Sequence, residues 1–248
     1  MQVPCKFHLP KAAKRPGLTQ ALCPIFMSTL YSQRTAFEKE LLTELGTLLK
    51  KSKWKKSCCA LFNRSGSYYQ DLFISVHRNA SLTTAPLRFK PMSLDTILWD
   101  ILDIPENRDK PLSFRTWGAF TCPDLPIYDA QLERPGNSPR EVADELVSLC
   151  IDKEALFQER LAAAPFSQLV AEHPNHIERG AYAVTLVASL INDGNLSLAY
   201  STASAFASGQ QSSCANFTSM GKSFHQLALE WLDAGKHSKL AVQAAAGA

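Results

Sequence analysis

The stretch Lys53 to Asn79, KWKKSCCALFNRSGSYYQDLFISVHRN, decides how the chain is read. Two runs rich in β-branched and aromatic residues flank Asn63-Arg64-Ser65-Gly66-Ser67, whose glycine can take the positive φ that a short hairpin connection needs. The spacing predicts an antiparallel hairpin. On its second run Tyr68, Leu72, Ile74 and Val76 alternate with Tyr69, Asp71, Phe73, Ser75 and His77, giving one apolar face and one mixed face. The apolar face is expected to pack on helices, and the mixed face is the expected place for a partner.

Upstream, Thr35-Ala-Phe-Glu38 has capping-box spacing. Phe37, Leu41, Leu45, Leu48 and Leu49 then recur at three- and four-residue steps, which predicts a helix over 35–50. Residues 1–31 carry no acid and show no periodicity, so a basic tail or arm is expected. A secretory reading of Leu18 to Tyr31 is weakened by Pro24 and by the lack of a small-residue cleavage site; initiation at Met27 is an alternative.

Downstream, Thr84 to Met92, bounded by Pro86 and Pro91, reads as an edge strand. Leu94, Ile97, Leu98, Ile101 and Leu102 form a short helix, with Asp95, Asp100 and Asp103 on its solvated side. Pro111 to Pro123 reads as the last strand, and Asp124 to Asn137 as a proline-rich loop. From Ser138 every periodic segment is helical, beginning with Ser138-Pro139-Arg140-Glu141, a capping box with Pro at the first helical position. Further helices are read at 165–173, from Pro174 to Asn192, from Asn195 to Ser208, and from Phe224 to Gly235. The expectation is an α+β protein: an N-terminal helix, an antiparallel sheet of about four strands over 32–137, and a C-terminal helical bundle of about five helices over 138–248.

Apolar content of 46% with 20% charged residues is that of a globular chain, and Gly180 to Ile191 is too short to span a bilayer. Seven cysteines without repeating spacing suit a reducing compartment, and the cytoplasm is the expected location. Eleven Lys and Arg stand against three Glu in residues 1–56, so the basicity is local. Lys50, Lys51, Lys53, Lys55 and Lys56 complement a helix C-terminus or, on a second reading, contact nucleic-acid phosphates.

The sequence holds no G-x-S-x-G, Walker A, G-x-G-x-x-G or H-E-x-x-H pattern. Cys58 and Cys59, adjacent on a strand, would point to opposite faces and could not share a metal. His173 and His176 are separated by Pro174 and lack fixed spacing for zinc. Cys122 or Cys214 with His77 or His225 would make a nucleophile pair only if the fold assembled them. No catalytic residue, metal ligand or cofactor is therefore assigned. Tyr69, Arg115 and Trp117 are the candidate protein contacts, being of types favoured at interfaces, and Lys55 and Lys56 the candidate phosphate contacts.

The order TAFEKELLTELGTLLKKSKWKKSCCALFNR followed by YYQDLFISVHR resembles small uncharacterised bacterial domains in which a helix leads into an antiparallel meander, some associated with toxin-immunity loci. The resemblance covers Thr35 to Thr121 and transfers no catalytic residue. It implies a non-enzymatic protein-binding protein, an immunity or inhibitor protein that sterically blocks a toxin. A nucleic-acid-binding accessory protein and an enzyme with an unrecognised site are the alternatives.

Overall fold

A computed structural model describes residues 24–77, 82–133, 138–213 and 217–235. Of the tail expected over 1–31, residues 1–23 lie outside the described residues, and 24–31 are not a tail but the opening turns of a helix. Helix α1 runs Pro24–Leu48 and a 3-10 turn Leu49–Lys51 follows it. Thr35 is therefore not a cap. It sits inside α1, where its hydroxyl donates to the Tyr31 carbonyl four residues back at 3.0 Å.

The hairpin forms as expected. Strands β2 (Ala60–Ser65) and β3 (Tyr68–Phe73) pair antiparallel in the register Ser65↔Tyr68 to Ala60↔Phe73, and Gly66 takes φ +60° in the turn. Strand β1 (Lys55–Ser57) adds to the outer side of β2. Cys58 and Cys59 lie in the β1–β2 turn, not on a strand, with Cys58 at φ +50°.

The sheet has six strands rather than four, because the short β1 and β4 (Ser75–Val76) add to it, and two further assignments exchange places. Pro111 to Pro123 is not a strand: Phe114, Arg115 and Thr116 bond back to the carbonyls of Pro111, Leu112 and Ser113, giving a short helix α3 at Phe114–Trp117. The expected loop instead contains β6 (Leu125–Glu133), antiparallel to β5 (Leu82–Pro91). Strand β5 is also not an edge. It is flanked by β6 on one side and, on the other, by β3 and the two-residue β4 (Ser75–Val76).

Pro86 is tolerated at this central position for a specific reason. Pairing with β4 ends at Thr84 and pairing with β3 begins at Leu87, so the missing N–H falls in the gap between the two partners.

Helices cover one face of the sheet. Leu41 and Leu45 of α1 pack with Leu61, Leu72, Leu87 and Ala130 of the sheet and with Val142 and Leu146 of α4 (Pro139–Asp152). The Ser138 cap is as expected: its hydroxyl accepts from the Glu141 N–H while Glu141 accepts from the Ser138 N–H. Helix α2 (Met92–Ile101) packs with α8 (Ala183–Asn192), α9 (Leu196–Ala207) and α10 (Phe224–Asp233) in a second cluster that includes Phe89, Trp99 and Phe157. Between these lie α5 (Glu154–Ala163), α6 (Phe166–Ala171) and α7 (Pro174–Arg179).

The helix expected from Pro174 to Asn192 is two helices, since Gly180 takes φ +61° and ends α7; the cap is His173, whose Nδ1 accepts from the Asn175 N–H, not Asn175. A two-strand pair, β7 (Thr218–Ser219) and β8 (Lys222–Ser223), precedes α10. Among the described residues, no helix is long and apolar enough to cross a membrane.

Candidate functional site

Directly paired residues of an antiparallel ladder point to the same face of the sheet. The pairs Asp71↔Arg88 and Tyr69↔Lys90 therefore set four polar side chains side by side, on the face opposite the helices α1 and α4. This is the mixed face predicted from alternation, but it is not open to a partner at these positions. Tyr69, Asp71 and Lys90 are fully buried.

The cover is the segment between α2 and β6. The hydroxyls of Tyr69 and Thr116 are bonded to each other, and the Trp99 indole N–H donates to the Phe120 carbonyl at 2.7 Å. Phe120 adopts φ +60° as the segment turns back toward the sheet. That path sets Cys122 and Asp124 above Lys90.

The charges beneath are paired in a fixed arrangement. Arg88 donates from Nε and Nη2 to the two oxygens of Asp71 at 2.8 and 2.7 Å, a bidentate pair. Lys90 Nζ donates to the Cys122 carbonyl at 2.7 Å and the Arg115 carbonyl at 3.3 Å. It also lies 3.1 Å from both Asp95 and Asp124. Asp95 in turn accepts from Arg115 Nη1 at 2.5 Å and from the Cys122 N–H at 2.8 Å. Asp95, placed by helical periodicity on a solvated face, is instead fully buried, because these partners replace the water it leaves.

Burial pulls the Lys90 ammonium down, but Asp124 and Asp95 outweigh it and the net shift is upward, so the lysine stays charged. Burial raises Asp124, which Lys90 only partly opposes, and its carboxyl is pushed up to about 7. Geometry agrees: Asp124 Oδ1 is shut off from solvent and accepts no hydrogen bond, since Lys90 is close but misdirected for one. Burial also drives the Cys122 thiol well above its ordinary value and raises the Tyr69 phenol.

A cleft of about 460 Å³ opens over this network. Arg88, Thr121, Asp124, Asp129, Asn175 and Tyr182 are among its walls. It joins β5 and β6 to the start of α7 and to the residue before α8, four elements distant in the chain. Among the described residues no group of three His, Cys, Asp or Glu is placed to hold a metal.

Of the residues singled out from sequence, Tyr69 and Arg115 come together in the network, and Arg115 also stacks its guanidinium 5.1 Å from the Trp99 ring centre. Both are engaged internally, Tyr69 with no exposed surface. Trp117 ends α3, and its side chain lies outside the described residues. Lys55 and Lys56 are exposed on β1, the sheet edge away from the cleft, and Lys53 is ion-paired with Glu154. Neither of the adjacent cysteines is buried; the core thiols are Cys122 and Cys150. His225 is buried on α10 with its ring stacked on Phe206 at 4.8 Å, away from any described cysteine contact.

Sequence reasoning missed Arg88, Lys90, Asp95 and Asp124. The available signal was Arg88 and Lys90 alternating with Leu87 and Phe89 inside an apolar strand, which places two cations on one face of a sheet.

Compared with protein-family models, with curated proteins and with solved structures, the chain matches none.

Proposed function

We propose that the chain binds another protein without catalysing a reaction, in the manner of an immunity or inhibitor protein that blocks a toxin by covering its surface. One observation carries this reading. The charges under the cleft are committed to one another: Arg88 to Asp71, Arg115 to Asp95, and Lys90 to two carboxylates and two carbonyls. Such a network holds a rigid polar surface and leaves the lysine no free pair for nucleophilic work. The Cys122 thiol is buried and held protonated, which removes the nearest alternative nucleophile.

The contact surface in this reading is the cleft rim, where β6 exposes Asp129 beside Tyr182, in place of Tyr69 and Arg115. Strand β6 ends the sheet on this side, pairing only with β5 among the described residues.

The test is capture from the source cell by the tagged protein at low and moderate salt, run beside the rim variant Asp129→Arg with Tyr182→Ala. A stoichiometric protein held by wild type through moderate salt and lost by the folded variant supports the reading. A protein held equally by both removes the rim, and nucleic acid released as salt rises would favour the lysines of 50–56.

A second reading, an enzyme, draws on Asp124 alone, since a carboxyl titrating near neutrality can exchange a proton with a substrate. It requires a turnover that disappears in a folded Asp124→Asn variant.

A further inference from the structure

We propose that the two-residue turn Cys58-Cys59 is a dithiol site that captures a soft, thiophilic ion, copper(I) or trivalent arsenic, between its two sulfurs. The turn lies at the β1 edge of the sheet, away from the cleft, and its chemistry does not depend on the protein-binding reading.

Neighbouring side chains on a strand alternate between faces, which is the reason for not expecting these two thiols to share an ion. The fold removes that reason. Ser57 pairs with Ala60, so Cys58 and Cys59 alone form the loop in which the chain reverses from β1 to β2. Across one trans peptide their Cα atoms are about 3.8 Å apart. The two thiols also feel each other: burial chiefly, and after it the charges of Glu38 and Cys58, raise Cys59 above its ordinary value. Both are free, Cys58 exposed and Cys59 half-buried, so an ion reaches them from solvent without opening the core.

The turn is anchored as well as accessible. The Cys59 carbonyl accepts from the Ile74 N–H at 2.8 Å, which ties the loop to the chain after β3. Cys58 takes φ +50°, a left-handed conformation that a short hairpin loop ordinarily gives to glycine, asparagine or aspartate. A cysteine there is strained, and strain of this kind gathers at functional positions. Lys55 and Lys56, exposed on β1 just before the turn, put positive charge at the same end of the sheet, which favours thiolates.

Ligand count selects the ion. No third His, Cys, Asp or Glu joins the pair among the described residues. Two sulfurs do not satisfy zinc, which takes four ligands in a closed site. They suit soft ions content with two thiolates, copper(I) or an arsenic centre whose third bond goes to carbon or oxygen. A direct disulfide is the poorer product, because adjacent Cα atoms lie closer than the span of about 4.4 to 6.8 Å that an unstrained bridge takes.

The diagnostic probe is phenylarsine oxide, which two thiols capture without a change of oxidation state. Two As–S bonds form while the As–O bond and both S–H bonds break, and the oxygen leaves as water with the two thiol protons. The full chain is treated with one equivalent in the presence of excess glutathione, then digested with trypsin and mapped by mass spectrometry. One phenylarsenic group on the segment 57–64, SCCALFNR, removable by dimercaptopropanol, is expected. Cys59→Ser and Cys58→Gly should each weaken capture by more than about a hundredfold, beyond what the loss of a merely supporting contact does. Glycine relaxes the left-handed turn, so lost capture in Cys58→Gly reports a missing thiol and not a lost fold. Capture that is absent, that survives in either variant, or that maps to another cysteine overturns the proposal.

Competition with bicinchoninate then decides between the ions. Withdrawal of one more copper(I) by wild type than by Cys58→Gly supports copper(I) at the site. Arsenical capture without that difference overturns copper(I) and leaves trivalent arsenic as the ion.

Discussion

Lys90 and Asp124 face each other at 3.1 Å, on β5 and just ahead of β6, and both are closed off from water. They do not depend on each other equally. Lys90 keeps Asp95 and two carbonyls if Asp124 is neutralised, whereas Asp95 and Asp124 both lose their ammonium if the lysine is removed. Lys90→Met should cost about 3 to 5 kcal/mol, because it strands buried carboxylates. Asp124→Asn should cost clearly less. Urea unfolding near neutral pH measures both, and equal costs would contradict the asymmetry.

Two buried groups make opposite contributions to stability as pH falls. Asp124 is raised from 3.8 to about 7, so its stabilisation is complete below the unfolded value and is lost as pH rises through about 7. His225 is lowered from 6.5 to about 4 by burial, and neither ring nitrogen has a hydrogen-bond partner. Its contribution is present above 6.5 and is lost as pH falls toward about 4. The two are at most about 4 and about 3 kcal/mol, and they offset each other between those values. Relative to wild type, Asp124→Asn should lose stability on acidification from about pH 7 to about pH 4, and His225→Leu should gain it. Urea midpoints across that range test both signs.

Gly180 and Gly66 share a left-handed backbone, at φ +61° and +60°, but not the same surroundings. A Cβ on Gly180 would lie 1.8 Å from the Ser212 carbonyl oxygen, while one on Gly66 would meet nothing within 4 Å. Gly66→Ala should cost about 1 to 2 kcal/mol, the backbone penalty alone. Gly180→Ala must also part α7 from the chain after α9 and should cost more. Thermal unfolding of the two variants side by side checks the order.

Lys55 and Lys56 sit exposed on β1 at the edge of the sheet, where charge discourages strand-on-strand association. Lys55→Val with Lys56→Val should leave the monomer fold unchanged and promote self-association, seen as a concentration-dependent rise in mass by light scattering. A variant that remains monomeric would return these lysines to a phosphate-contact role.

The site was less legible than the elements around it. Tyr69 and Arg115 were singled out by residue type, yet what they do depends on Lys90, Asp95 and Thr116, which lie 20 or more positions away in sequence. Asp95 is instructive. Its place among Leu94, Ile97 and Leu98 on a helix argues for solvent, and only the approach of Arg115 and the Cys122 amide makes its burial affordable.

What the sequence by itself determined was local. The turn at Gly66, the Ser138–Glu141 cap, the buried Ala183–Ile191 run and the stripe of α10 follow from spacing, because each is stabilised by residues within a few positions of one another. The tertiary structure decided what depends on partners. Leu125–Glu133 is a strand because β5 offers an unpaired edge, not because its own residues insist on it. Phe114–Trp117 is helical, its N–H groups bonding back three residues while Thr116 and Arg115 are held by the distant Tyr69 and Asp95. The cleft exists only where β5, β6, α7 and the start of α8 meet, and no periodicity within one element records that meeting.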